Sequence, residues 1–108
     1  MTDPNFKVAW KRKAAMKFAM LYNADHRRVL QNTNHHLSIN PYRIADGIAD
    51  FPGYPFNGYL WALISNVIIV YRVHIDIGVV SIETCYSALT GEVAELFFGI
   101  SPDEDHEN

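Results

Sequence analysis

Between Tyr59 and Tyr86 the chain carries three runs of β-branched and aromatic residues with almost nothing separating them. Tyr59 to Ile64 is parted from Val67 to Ile75 only by Ser65-Asn66, and Val79 to Tyr86 follows a break at Asp76-Ile77-Gly78. Parallel neighbours need a crossover of a dozen or more residues, and no such stretch exists here. The segment is therefore expected to fold as an antiparallel meander with tight turns. Everything else in the chain has to pack against that sheet.

The N-terminal half supplies the partners. Phe6 to Trp10 alternates apolar and polar residues and reads as a short strand. From Lys11 to Tyr22 there is neither Gly nor Pro, and Trp10, Ala14, Phe18 and Leu21 form one stripe at helical spacing. Asn23 to Asp25 offers break and N-cap chemistry for a second helix, on which His26, Leu30, Thr33 and Leu37 are expected to share a face. Pro41 should end this helical hairpin. Asn40 to Gly58 holds three Pro and three Gly and is expected to be a long excursion, with one short strand at Tyr42 to Ile44. Glu92 to Phe98 fits either a last strand or a helical turn.

The predicted fold class is α+β: an N-terminal strand and helical hairpin packed on a small antiparallel sheet of about four strands. A chain of 108 residues fits one domain, here residues 1–100, followed by an acidic, disordered tail at 101–108. The longest apolar run, Tyr59 to Tyr71, is too short for a membrane helix. No secretory signal pattern is present, and a single cysteine, Cys85, cannot form an internal disulfide. A cytoplasmic protein is the expectation.

Charge is unevenly divided. Residues 1–54 hold eight Lys or Arg against four acids, and residues 55–108 hold only Arg72 against eight. A basic front half suits an acidic partner; it also fits a plain solvated helix face.

Within Val67 to Ile75, Arg72 and His74 lie two apart and share a face with Ile68 and Val70. On the next run Ser81, Glu83 and Cys85 form the polar set, and Val80, Ile82, Thr84 and Tyr86 the other. If Glu83 pairs with Arg72, then Ser81 meets His74 and a cation, an imidazole, a carboxylate and a hydroxyl share one patch. A one-residue slip would set Ile82 opposite Arg72 instead. The first register permits a general base, His74, beside a charge stabiliser, Arg72; an ordinary cross-strand ion pair explains the same residues. His35-His36 invites a metal reading, but adjacent helical residues diverge, and neither a metal nor a cofactor is expected. The aromatic-rich Gly53 to Trp61 would cap the core or anchor a partner peptide.

The order of elements resembles the RelE/ParE superfamily of bacterial toxin–antitoxin systems. The likeness rests on "FKVAWKRKAAMKFAMLY", "LSINP" and "GYLWALISNVIIVYRVHIDIGVVSIE", with "IVYRV" similar to the family's third strand. It spans about residues 5 to 90. The resemblance implies a cognate antitoxin as partner, translation or DNA gyrase as target, no membrane, and admits a homodimer. It offers Lys11, Arg12, Lys13, Arg27, Arg28, Arg43, Tyr54, Phe56 and Trp61 for the antitoxin. For catalysis it leaves Arg72, His74, Glu83 and Tyr86. Departures weaken the enzymatic reading: the third strand begins Val67-Ile68 where the family has an arginine, and "CYSALTGE" lacks the cations of its ribonucleases. A non-toxic interaction module and a small hydrolase or RNase using His74 and Glu83 are the alternatives.

Overall fold

A computed structural model describes residues 6–21, 24–49 and 56–89. The element order is β1 (Lys7–Trp10), α1 (Arg12–Ala19), α2 (His26–Ile39), α3 (Pro41–Ile44), β2 (Gly47–Ile48), β3 (Leu60–Ile64), β4 (Val67–His74) and β5 (Val79–Ser87). Five strands form one sheet in the order β1-β5-β4-β3-β2. The α+β class is as expected, and the meander β3-β4-β5 is antiparallel throughout. The sheet as a whole is mixed, because β1 docks parallel to β5, with Lys7 opposite Val79 and Trp10 opposite Ile82. Everything from α1 to β4 lies between them in the chain, well beyond the dozen residues that parallel pairing demands.

Local chemistry explains the element boundaries. Lys11 is still extended, and its N–H donates to the Ile82 carbonyl (3.0 Å), so α1 starts where strand pairing stops. Asp25 caps α2 by accepting from the Arg28 N–H at 3.2 Å. Asn40 closes α2 through its own N–H to the His36 carbonyl, and its side chain then accepts from the Arg43 N–H at 3.1 Å. With Pro41 as the next first residue, α3 is a single helical turn. The strand expected at Tyr42 to Ile44 is therefore helical. Asn-Pro is a helix-start signal, and that preference outweighs the short apolar alternation.

The Ser65-Asn66 turn has positive φ at both residues (49° and 69°), the mirror-image turn that matches strand twist. The helices cover one face of the sheet. Ala14, Phe18 and Leu21 meet Val29, Thr33 and Leu37 above Ala62, Ile64, Val67, Ile69, Tyr71, Val80, Ile82 and Cys85. On α2 the buried stripe runs through Val29 rather than Leu30, which is 40% exposed. Two adjacent apolar residues left the helix rotation open, and packing chose the first. His26 sits on the same side, hydrogen-bonded to the Phe18 carbonyl at 2.9 Å.

The opposite face has its own apolar cluster: Ala49, Ile68, Val70 and Tyr86, with Phe56, Tyr59, Trp61 and Ala88 packed on it. A sheet buried on both faces accounts for the near-continuous apolar run at the start of β4. Among the described residues no helix is long and apolar enough to cross a membrane. Residues 90–108, and with them the expected element at Glu92 to Phe98 and the acidic tail, lie outside the described residues.

Candidate functional site

The polar residues of interest gather where the second face leaves its apolar cluster, toward the C-terminal end of β4 and the N-terminal half of β5. The register is neither of the two considered: Arg72 pairs with Ser81, and His74 with Val79. Val70 pairs with Thr84 and Tyr71 with Ile82, so Glu83 is the extra residue of a β-bulge. The bulge also breaks the alternation assumed for β5. Before it, Ile82 faces the helices and Ser81 does not. After it, Cys85 joins the helix-side core while Thr84 and Tyr86 lie with Val70 and Ile68. The polar set Ser81, Glu83 and Cys85 is thus split, with Cys85 on the other face.

Four side chains link β4, β5 and Lys11, the residue between β1 and α1. The Lys11 ammonium lies 3.2 Å from one Glu83 carboxylate oxygen. The other oxygen accepts the Ser81 hydroxyl at 2.7 Å, and the Ser81 oxygen is 2.9 Å from His74 Nε2. Because the Ser81 proton points to Glu83, its oxygen accepts from His74, which sets the proton of a neutral imidazole on Nε2. Nδ1 is then the free base of the ring. The Glu83 side chain is only 8% exposed, so its charge is held by one ammonium and one hydroxyl rather than by bulk water. Ser81 in this arrangement is a bridge between base and carboxylate. It is not an activated nucleophile, since its proton is directed away from the imidazole.

Arg72 does not join this chain. It is exposed, and its guanidinium carbon lies 5.2 Å from the centroid of the Tyr59 ring. Tyr86 is buried, 2% exposed, with the Lys17 ammonium 3.7 Å from its ring centroid. Of the four residues offered for catalysis, His74 and Glu83 are connected through Ser81, while Arg72 and Tyr86 stand in separate surroundings. Ser81 and Lys11 complete the linkage. Their signal in the sequence was two-residue spacing for Ser81; Lys11 carried none, because it reaches Glu83 only through the parallel pairing of β1.

The residues offered for a partner divide in two. Arg12, Lys13, Arg27, Arg28 and Arg43 are exposed on the helical layer. Phe56 and Trp61 pack into the second apolar cluster, and Phe56 meets Tyr59 edge-on with centroids 5.7 Å apart. Tyr54 lies outside the described residues. The His35 and His36 rings are edge to face, 5.3 Å apart. Among the described residues no three His, Cys, Asp or Glu side chains cluster as metal ligands.

The backbone matches a chain in the crystal structure of the toxin–antitoxin complex RelBE2 from Mycobacterium tuberculosis with a TM-score of 0.66. The fold is RelE-like. That match covers 77% of this chain and 98% of the other at 17% identity. The structure of an E. coli RelE toxin mutant in the free state, with two arginines changed to alanine, gives 0.53 at 16% identity. There the coverage is 85% of this chain and 93% of that one. No protein-family model and no curated protein matches the sequence. The RelE-like architecture accounts for the strand, hairpin and meander order, and it carries His74, Ser81 and Glu83 on the meander.

Proposed function

We propose that this RelE-like chain is the toxin-family member of a bacterial toxin–antitoxin pair, held by a cognate antitoxin on its cationic helical layer. The observation that carries the reading is the RelBE2 likeness, which takes in 98% of that chain and 77% of this one. Exposed Arg12, Lys13, Arg27, Arg28 and Arg43 support an acidic partner segment, by charge complementarity over α1, α2 and α3. Translation or DNA gyrase is the target class, and the cytoplasm is where either would be met.

Induced expression, with growth followed in the presence and absence of a neighbouring gene encoding an acidic, amphipathic protein, tests this directly. Growth arrest relieved by the neighbour is expected; growth unaffected by high expression would refute toxicity. A second reading, a binding module without catalysis, has one specific observation in its favour. Arg72, Tyr86 and the His74–Glu83 pair do not converge on one point, as cleavage by an RNA 2′-hydroxyl would require of base, charge stabiliser and acid. Under that reading the double variant Arg72→Ala/His74→Ala leaves any growth phenotype unchanged.

A further inference from the structure

Asparagine is a thermally labile side chain, and a glycine after it exposes that lability. The backbone nitrogen of the following residue can close a ring on the asparagine side-chain carbonyl carbon. A Cβ on that residue obstructs the approach, and glycine has none. Asn57-Gly58 has this order and lies just ahead of β3. Both residues are exposed, and a Cβ built on Gly58 would meet nothing within 4 Å. Among the described residues no hydrogen bond holds the Asn57 side chain. The restraint lies on the nucleophile: the Gly58 N–H donates to the Ala49 carbonyl at 2.6 Å.

The other described asparagines each miss a condition. Asn40 precedes Pro41, whose nitrogen has no proton to lose. Asn34 lies within α2, and its Oδ1 accepts the Trp10 indole N–H at 3.0 Å. Asn32, in the same helix, precedes β-branched Thr33, and Asn66 precedes β-branched Val67. Asp46-Gly47 could close the same ring, but its parts are held. The Asp46 carboxylate accepts the Leu63 N–H at 2.6 Å, and Gly47 is paired with Trp61 in the sheet.

We propose that Asn57 is a deamidation site of the folded protein, converted by water alone to aspartate and isoaspartate. The Gly58 nitrogen loses its proton and bonds to Asn57 Cγ; the Cγ–Nδ2 bond breaks, and ammonia carries that proton away. Water then opens the cyclic imide. Cleavage at Cγ leaves aspartate at position 57, and cleavage at the original peptide carbon leaves isoaspartate, with the chain rerouted through the side chain. Nothing is oxidised or reduced: amide plus water has become acid plus ammonia. Asn57 lines a cavity of about 410 Å³ together with Arg72, the one charged side chain among the described residues that line it. A carboxylate at position 57 therefore takes this corner from cationic to neutral and adds one negative charge to the chain's −3. The isoaspartate product also lengthens the turn that the Gly58–Ala49 and Tyr59–Phe56 hydrogen bonds close. The chemistry is the same for a toxin and for a binding module.

The test is timed incubation of the purified full chain at mildly alkaline pH, with peptide mapping by mass spectrometry and chromatographic separation of isoaspartate. Asn57 should convert ahead of every other described asparagine, with isoaspartate in excess. The rate should rise with pH, because the attacking nitrogen must be deprotonated. Against the synthetic peptide PFNGYL, the folded chain should react about two- to tenfold more slowly, the factor that one net backbone hydrogen bond supplies. Urea should abolish that difference. Asn57→Gln, which must close a larger ring, should keep the fold and lose the reaction. Asn57→Asp should reproduce the shift of the Arg72 side-chain Nε–H NMR signal that develops in aged protein. The proposal is overturned if Asn57 in the folded chain stays intact after the peptide has fully converted, or if another described asparagine converts first. It is equally overturned if the Arg72 signal of Asn57→Asp matches that of the parent.

Discussion

Tyr71→Phe isolates a single buried contact. Tyr71 is fully buried at the centre of the sheet, and its hydroxyl donates to the Pro41 carbonyl at 2.5 Å, tying β4 to the first turn of α3. Removing the hydroxyl costs about 0.5–1.5 kcal/mol for the hydrogen bond, and about 1–3 kcal/mol if the buried carbonyl finds no replacement donor. At about 4–8 °C per kcal/mol for a domain of this size, a Tm loss of several degrees is expected in calorimetry. The variant also has a pH signature. Burial, reinforced by the Asp46 carboxylate, raises the Tyr71 pKa above its ordinary value near 10. The folded state therefore keeps the phenol's proton at pH values where the unfolded chain has lost it. This contribution to stability is fully present below about pH 10 and declines as pH rises from there toward the raised folded value, by up to about 1.4 kcal/mol per pH unit. Tyr71→Phe should lose that alkaline decline, so the two proteins converge in stability above pH 10. A variant as stable as the parent at neutral pH, or one with the same alkaline slope, would refute the reasoning.

Other substitutions probe the remaining features. The Thr33 hydroxyl is buried without a hydrogen-bond partner among the described residues, so Thr33→Val should raise stability by about 1 kcal/mol in urea unfolding. A Cβ on Gly47 would sit 2.9 Å from the Trp61 indole nitrogen, and Gly47→Ala should cost about 1–3 kcal/mol by displacing a packed ring, visible as a change in tryptophan fluorescence. The two left-handed turn residues predict that Ser65→Asn with Asn66→Gly stabilises by up to about 1 kcal/mol, while Asn66→Val destabilises; thermal melts decide.

Much of the fold was legible because its strongest signals are local. The β3-β4-β5 runs, the Ser65-Asn66 turn, the Asp25 cap and the Ala14/Phe18/Leu21 stripe each depend on residues a few positions apart. What escaped depends on distant partners. Val29 and Leu30 are equally apolar, and only the sheet beneath α2 selects between them. The parallel docking of β1 is decided by residues at the other end of the chain. For the site, two-residue spacing correctly set Arg72 and His74 together with Ser81, but one unpaired residue at Glu83 reversed the facing of everything after it. Alternation carries no mark of a bulge, so Cys85 was assigned to the wrong side. Lys11 was recognised as part of a charge cluster, and its pairing with Glu83 is a product of topology alone.

The β1–β5 pairing has a consequence for synthesis. Among the described residues the first strand finds its neighbour in the last, with Lys7 waiting for Val79 to emerge. A nascent chain halted anywhere before β5 would expose β1 with nothing to pair against, and the helix-side core would lack Val80, Ile82 and Cys85. Sheet completion therefore waits for β5, the slow, long-range closure typical of high contact order. Whatever this protein does to its surroundings, it begins only after β5 has been made and paired.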